Sequence, residues 1–147
     1  MTGSVALNEQ ERQALHAALD DERRALATYD QVLRDFGSVR PFVNIREAEA
    51  RHAAALINLF ERYGVPLPPD PWPGKAPRYA GVREACEAGI RAEIRNAEMY
   101  ERLKAATARP DILAVFEMLQ AASRDHHLPA FRRCAGREAS GHRSSRP

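Results

Sequence analysis

Glu49 stands three residues before His52 in the alanine-rich stretch EAEARHAAAL, residues 47–56. Three residues is about one helical turn, so a carboxylate and an imidazole lie on one face. Such a pair can hold a divalent cation, but alone it is an ordinary surface feature. Its meaning depends on which face carries it and on what the rest of the chain sets opposite. Glu22, Glu93 and His126 are the other acidic and imidazole residues whose spacing matters, with Asn96 and Ser123 beside them.

The elements that must position these residues are helices. β-Branched alternation and Asn-Gly hairpins are absent from the sequence. Asn8 followed by Glu11 is an Asn form of the capping box, and Gly37 stands where a C′ glycine would, which frames a helix over 8–36. Pro41 opens a second helix that runs to Tyr63, with Gly64 behind it. A third is expected over 81–107, and a fourth from Pro110 to just before Gly136. Between the second and third lies GVPLPPDPWPGKAPRYAG, 18 residues holding six of the ten prolines, which cannot be helical. A 22-residue helix is about 33 Å long, and proline-rich chain at roughly 3.1 Å per residue spans that length with slack. The segment can therefore carry the chain from one end of a bundle to the other, with Trp72 pinning it to the surface. The expected fold is all-α: a four-helix up-down bundle over 1–135, two hairpins joined by one long crossover. The tail GREASGHRSSRP, 136–147, is polar and aperiodic and is expected to be disordered.

Bundle helices bury positions spaced alternately three and four apart. On that spacing helix 1 buries Leu15, Leu19, Glu22, Leu26, Tyr29, Leu33 and Phe36, and helix 2 buries Phe42, Ile45, Glu49, His52, Leu56, Leu59 and Tyr63. Helix 3 reads Val82, Cys86, Gly89, Glu93, Asn96, Tyr100 and Leu103; helix 4 reads Ile112, Phe116, Leu119, Ser123, His126 and Ala130. Each apolar stripe is interrupted near its midpoint, and midpoints of antiparallel helices share one height. Glu22, Glu49, His52, Glu93 and His126 should thus converge. Burying even one unpaired ionised carboxylate costs several kcal/mol, so either the carboxyls are protonated or cations sit among them. Two divalent cations come close to charge balance. The halves also repeat: ERRALATY begins at Glu22 and EIRNAEMY at Glu93, and the next seam pairs follow 27 and 30 residues later. A duplicated hairpin would place the ligands with pseudo-twofold symmetry. Carboxylates with one or two imidazoles suit iron or manganese, whereas structural zinc favours thiolates.

With that pattern the chain resembles the ferritin-like di-iron carboxylate superfamily of rubrerythrin and ferritin. More narrowly, FVNIREAEARH is similar to the signature of a family of short ferritin-like bundles in bacteria and archaea, over roughly residues 8–135. The resemblance implies a Glu from helices 1 and 3 and a Glu-x-x-His from helices 2 and 4 around two metals: Glu22, Glu49, His52, Glu93 and His126. It places Tyr29 and Tyr100 near the site in a redox or hydrogen-bonding role. It also shows a departure, because the second bridging Glu falls at Ser123, a weak neutral ligand that the short-bundle subtype accommodates. Asp125 lies about 200° around the helix from Ser123 and cannot substitute. Pro129 removes the N–H that would bond to the Asp125 carbonyl, and a kink there could re-aim His126 or recruit His127.

The expected function is a di-iron or iron/manganese oxidoreductase reacting with dioxygen or hydrogen peroxide, with the second iron held weakly. No rubredoxin-type Cys-x-x-Cys pair occurs in the sequence, so electrons must come from a separate donor or from ferrous iron itself. One rival is a non-catalytic metal-binding or iron-handling protein. Another is a purely structural bundle with protonated carboxyls. A homodimer is the default assembly. A net charge of +2, with 20 Arg against 2 Lys, gives no case for nucleic acid, and Arg132, Arg133, Arg137, Arg143 and Arg146 read as a solvated end. The opening MTGSVALNEQ has no signal-peptide pattern and no apolar run approaches a membrane span, so the expected location is cytoplasmic. On that basis Cys86 and Cys134 are expected as reduced, buried thiols.

Overall fold

The computed structural model describes residues 6–144, with side-chain surroundings through residue 138. Its helices are α1 (Glu9–Phe36), α2 (Phe42–Arg62), α3 (Val82–Leu103), α4 (Pro110–Ala122) and α5 (Leu128–Ser144). A 3₁₀ turn, Lys104–Ala106, ends α3, which stops short of the expected residue 107. A π-helical turn, Ser123–His127, joins α4 to α5 without a break, so the three make one rod. There is no strand among the described residues.

The capping signals act as their chemistry requires. The Asn8 side chain accepts from the Glu11 amide at 2.8 Å, and the Glu11 carboxylate accepts from the Asn8 amide at 3.1 Å. Gly37 ends α1 at φ 81°, and its N–H bonds to the Leu33 carbonyl, a conformation that side-chain-bearing residues avoid.

Cross-helix bonds establish the topology. Tyr29 reaches Glu93 and Tyr100 reaches Glu22, so α1 and α3 are antiparallel. Arg62 and Tyr63, at the foot of α2, hold Asp111 at the start of α4. The chain thus forms two antiparallel hairpins, α1–α2 and α3–α4/α5, joined by the crossover. That segment climbs the outside of α1. Arg23 donates to the Pro68 carbonyl, the Trp72 indole N–H donates to Asp20, and Arg78 pairs with Asp35 near the top of α1.

The core comes in two pieces. The lower one packs Leu15, Leu19, Leu56, Phe60, Tyr100 and Phe116. The upper packs Tyr29, Phe42, Cys86, Phe131 and Cys134. Fully burying one large apolar side chain contributes about 1.5–3 kcal/mol. Between the pieces lies a buried polar layer.

Two expectations fail at the upper end. Cys86 and Cys134 form a disulfide, with Cα atoms 6.1 Å apart, and are not free thiols. α3 and α5 pack side by side there. The helix also continues through residues 136–144, where disorder was expected. Gly136 does not adopt the left-handed conformation that would make it a stop. Residues 145–147, the last of the expected tail, lie outside the described residues, as do Arg146 and the side chain of Arg143. Arg132, Arg133 and Arg137 are exposed. No helix among the described residues is long and apolar enough to cross a membrane.

Candidate metal centre

The polar layer brings together one residue or pair from each rod. Glu22 (α1), Glu49 and His52 (α2), Glu93 (α3), and Ser123 and His127 (the π turn) are all buried. The carboxyl groups of Glu22, Glu49 and Glu93 are only 1–2% exposed and turn inward. Their amphipathic helices leave no alternative, because each carboxylate lies in line with the leucines and aromatics above and below it.

Both imidazoles aim Nδ1 at the carboxylates. His52 Nδ1 is 2.9 Å from Glu49 Oε1 and 3.6 Å from Glu22 Oε1. His127 Nδ1 is 3.2 Å from Glu93 Oε1 and 3.9 Å from Glu49 Oε1. Glu49 therefore stands between two sets, Glu22/Glu49/His52 and Glu93/Glu49/His127. The two rings stack with centroids 5.6 Å apart. Donor atoms of Glu49, His52 and His127 all lie within 4.8 Å of one another.

The histidine from the fourth rod is His127, not the expected His126, which is exposed. The π turn is the cause. The Leu128 amide donates to the Ser123 carbonyl, five residues back, and the turn holds one residue more than an α-turn. Pro129 has no N–H to offer the Asp125 carbonyl, and its ring would crowd that carbonyl in a regular helix. The inward positions after the turn are His127, Phe131 and Cys134. Pro129 was the sequence signal for the shift.

Ser123 is at the expected height but does not join the donor group. Its hydroxyl donates to Asn96 Oδ1, and Asn96 Nδ2 in turn donates to Asp21 at 2.7 Å and to Glu22 Oε2 at 3.2 Å. Asn96 and Ser123 form a neutral brace that holds Glu22 from the opposite hairpin.

The tyrosines orient the outer carboxylates. Tyr29 donates to Glu93 Oε2 at 2.7 Å, and Tyr100 donates to Glu22 Oε2. Burial first, then the nearby carboxylates, pushes both phenols well above their ordinary range, so they are O–H donors and not phenolates. Each fixes one oxygen of the other hairpin's glutamate and leaves Oε1 toward the centre, the way an outer hydrogen bond orients a metal-binding carboxylate.

Electrostatics separate the carboxyls. Burial, then the charges of Glu22 and Glu93, pushes Glu49 well above the usual carboxylate range. Burial opposes ionisation of Glu22 too, but His52 and the Tyr100 hydroxyl outweigh it and hold Glu22 below its ordinary value. At 3.6 Å the His52 contact is electrostatic and not a hydrogen bond, and with Glu49 ionised Glu22 Oε1 is buried with no hydrogen-bond partner. An orphaned buried carboxylate oxygen is costly and needs an explanation. Ligand atoms about 2.0–2.2 Å from one cation lie roughly 3–3.5 Å apart. The closest distance within each set, 2.9 and 3.2 Å, falls in or beside that window, so the donor chemistry fits a metal.

Comparison with known proteins adds a fold relationship. No family model matches the chain, and no curated protein sequence matches it. A crystal structure of a hypothetical protein from Methanococcus jannaschii superposes with a TM-score of 0.82 at 22% identity, covering 95% of this chain and 87% of that one. The likeness establishes the shared four-helix fold and nothing about chemistry.

Proposed function

We propose that this chain is a ferritin-like dinuclear metal protein, an oxidoreductase that uses dioxygen or hydrogen peroxide. The reading is carried by the buried Glu22 Oε1, which lacks a hydrogen-bond partner in a layer of three carboxylates and two inward Nδ1 atoms. Glu22, Glu49 and His52 would hold one metal; Glu93, Glu49 and His127 would hold the other. Iron, or iron with manganese, would supply the electrons that reduce the oxidant. The chain's own residues do the rest. Tyr29 and Tyr100 keep the outer carboxylates in one orientation, Asn96 and Ser123 brace Glu22, and the two apolar cores close the layer from above and below. Electrons for turnover would come from a separate donor.

A second reading, a non-catalytic metal-binding or iron-handling protein, is favoured by one observation. The second hairpin offers Ser123 where the first offers Glu49, so the donor set is asymmetric. Anaerobic loading with Fe(II) followed by oxygen separates the two. Two irons per chain with rapid oxidation supports the oxidoreductase, while one inert metal supports the binder. A chain that takes up neither Fe(II) nor Mn(II), and gains no thermal stability from them, overturns both readings.

A further inference from the structure

A cavity of about 200 Å³ opens between α1 and α3 beneath the crossover and reaches the polar layer. Its inner wall includes Glu49 and Glu93. The helices can stand apart here because the residues facing the gap are small: Ala25 on α1, and Ala88 and Ala92 on α3. Trp72 and Tyr79 of the crossover roof it. Apolar walls, an aromatic lid and a few converging polar groups are the make-up of a small-molecule site, and a volume of about 200 Å³ limits the ligand to a compact one.

The mouth carries an unusual charge. Arg91 and Arg95 line the cavity, both exposed and one turn apart on α3. Like charges at this spacing repel and weaken a helix, and neither has a carboxylate partner among the described residues. Other arginines on this side are engaged: Arg24 by Asp21, Arg23 by the Pro68 carbonyl and Asp70, and Arg78 by Asp35. Burial pushes the Tyr79 hydroxyl up while the charges of Arg91, Arg95 and Arg24 oppose that shift, which sets all three near the roof.

We propose that this cavity binds a small organic anion, with its charged head at Arg91 and Arg95 and its compact apolar body against the alanines, directed inward toward Glu49 and Glu93. A carboxylate or a phosphate ester meets the same guanidinium chemistry. The charge of Glu93 at the inner wall favours this orientation over the reverse. The proposal rests on the metal-centre reading for what lies at the inner end, but the binding step does not.

Trp72, the single tryptophan of the chain, reports on the roof. The full metal-free protein is titrated with sodium benzoate, phenyl phosphate and benzyl alcohol, following Trp72 emission and binding heat. At least one of the two anions should saturate the signal and bind at least tenfold more tightly than benzyl alcohol. The variant R91E/R95E should bind that anion at least tenfold more weakly with unchanged circular dichroism and melting temperature, since both side chains are exposed. Ala88→Leu, which fills the cavity, should weaken it independently. No saturable response, equal affinity for the alcohol, or unchanged affinity in R91E/R95E overturns the proposal. A chain that binds the anion but no iron would lose the metal-centre reading and keep this one; the converse result would lose this one alone.

Discussion

The α1–α2 hairpin and the α3–α4/α5 hairpin are built on one template and differ at two places. Both carry a glutamate with a tyrosine seven residues later, and each tyrosine donates to the other hairpin's glutamate. Both end their polar step on a histidine with Nδ1 inward. The first hairpin then adds Glu49 and has Ala25 three residues after Glu22, whereas the second adds Ser123, bonded to Asn96 three residues after Glu93. The first spaces its pair by three residues and the second by four, through the π turn. The difference shows a division of labour within a pseudo-twofold frame. One hairpin brings the shared charge, and the other brings a neutral brace that steadies it.

Removing the shared charge should break the comparison most severely. In Glu49→Gln the oxygen common to both donor sets loses its charge, and Fe(II) or Mn(II) binding measured by metal analysis should fall by at least a hundredfold. The stabilisation that a metal gives at a hundredfold excess over its Kd, about 2.7 kcal/mol, should vanish from the melting curve. The metal-free variant should melt as the parent does, within about 1 kcal/mol, because a buried neutral amide replaces a carboxyl that burial already pushes toward protonation. A large loss in the metal-free form would show Glu49 to be a structural ion and not a ligand.

Making the two hairpins alike is the next test. Deleting Asp125, exposed and paired only with its neighbour Arg124, should convert the π turn to an α-turn and keep His127, Phe131 and Cys134 facing inward. The ring of Pro129 then meets a helical carbonyl, at a cost of about 3 kcal/mol in urea unfolding. Adding Pro129→Ala should recover most of it. If the deletion alone costs nothing, the proline is not the reason for the bulge.

How much of this could be read from the sequence follows from the same two differences. Glu22, Glu49, His52 and Glu93 sit on uninterrupted heptad-like seams, where period alone tells which way a side chain points. His127 breaks the period by one residue, and counting in threes and fours lands on His126. Cys134 is inward for the same reason, seven residues after His127; both thiols read as buried in the sequence, and it is the prior about compartments that hides their disulfide. Ser123 was placed at the correct height, but its partner Asn96 lies on another helix, and cross-helix hydrogen bonds have no sequence signature. Gly136 reads as a stop in the sequence, but its backbone stays helical, and the helix continues beyond it.

Gly89 sharpens the comparison at the packing level. It stands four residues before Glu93 as Ala18 stands four before Glu22, and both are buried. A Cβ at Gly89 would come within 2.8 Å of three ring atoms of Phe131, which the π turn has moved inward. Gly89→Ala should therefore cost about 1–3 kcal/mol by denaturant unfolding, even though alanine is the better helix former. A neutral or stabilising result would mean that Phe131 moves aside freely.

The tyrosines should differ as well. Glu22 Oε2 accepts from both Tyr100 and Asn96, but Glu93 Oε2 accepts from Tyr29 alone. Tyr29→Phe should cost about 1–2 kcal/mol in the metal-free chain and lower metal affinity roughly tenfold. Tyr100→Phe should cost less on both measures. Equal losses would remove the brace from the account of why the hairpins differ.

The smallest effect is expected where the two hairpins begin. α1 starts on the Asn8–Glu11 capping box, and α3 starts at Gly81 with no side-chain cap. Glu11 also accepts from Thr107 and Arg109 in the turn of the second hairpin, so it ties the feet of the two together. Burial works to raise its pKa, but the bonds from Thr107, the Asn8 amide and Arg109 outweigh it and hold the carboxyl below its ordinary value. A lowered folded-state pKa gives stability that is complete above the unfolded value and is lost as pH falls through the folded one. Glu11→Gln should therefore cost about 1 kcal/mol at neutral pH, and the gap between variant and parent melting curves should close as the solution is acidified through the carboxylate range. A gap that persists unchanged into acid would show that the tie depends on shape, with the charge of Glu11 contributing nothing.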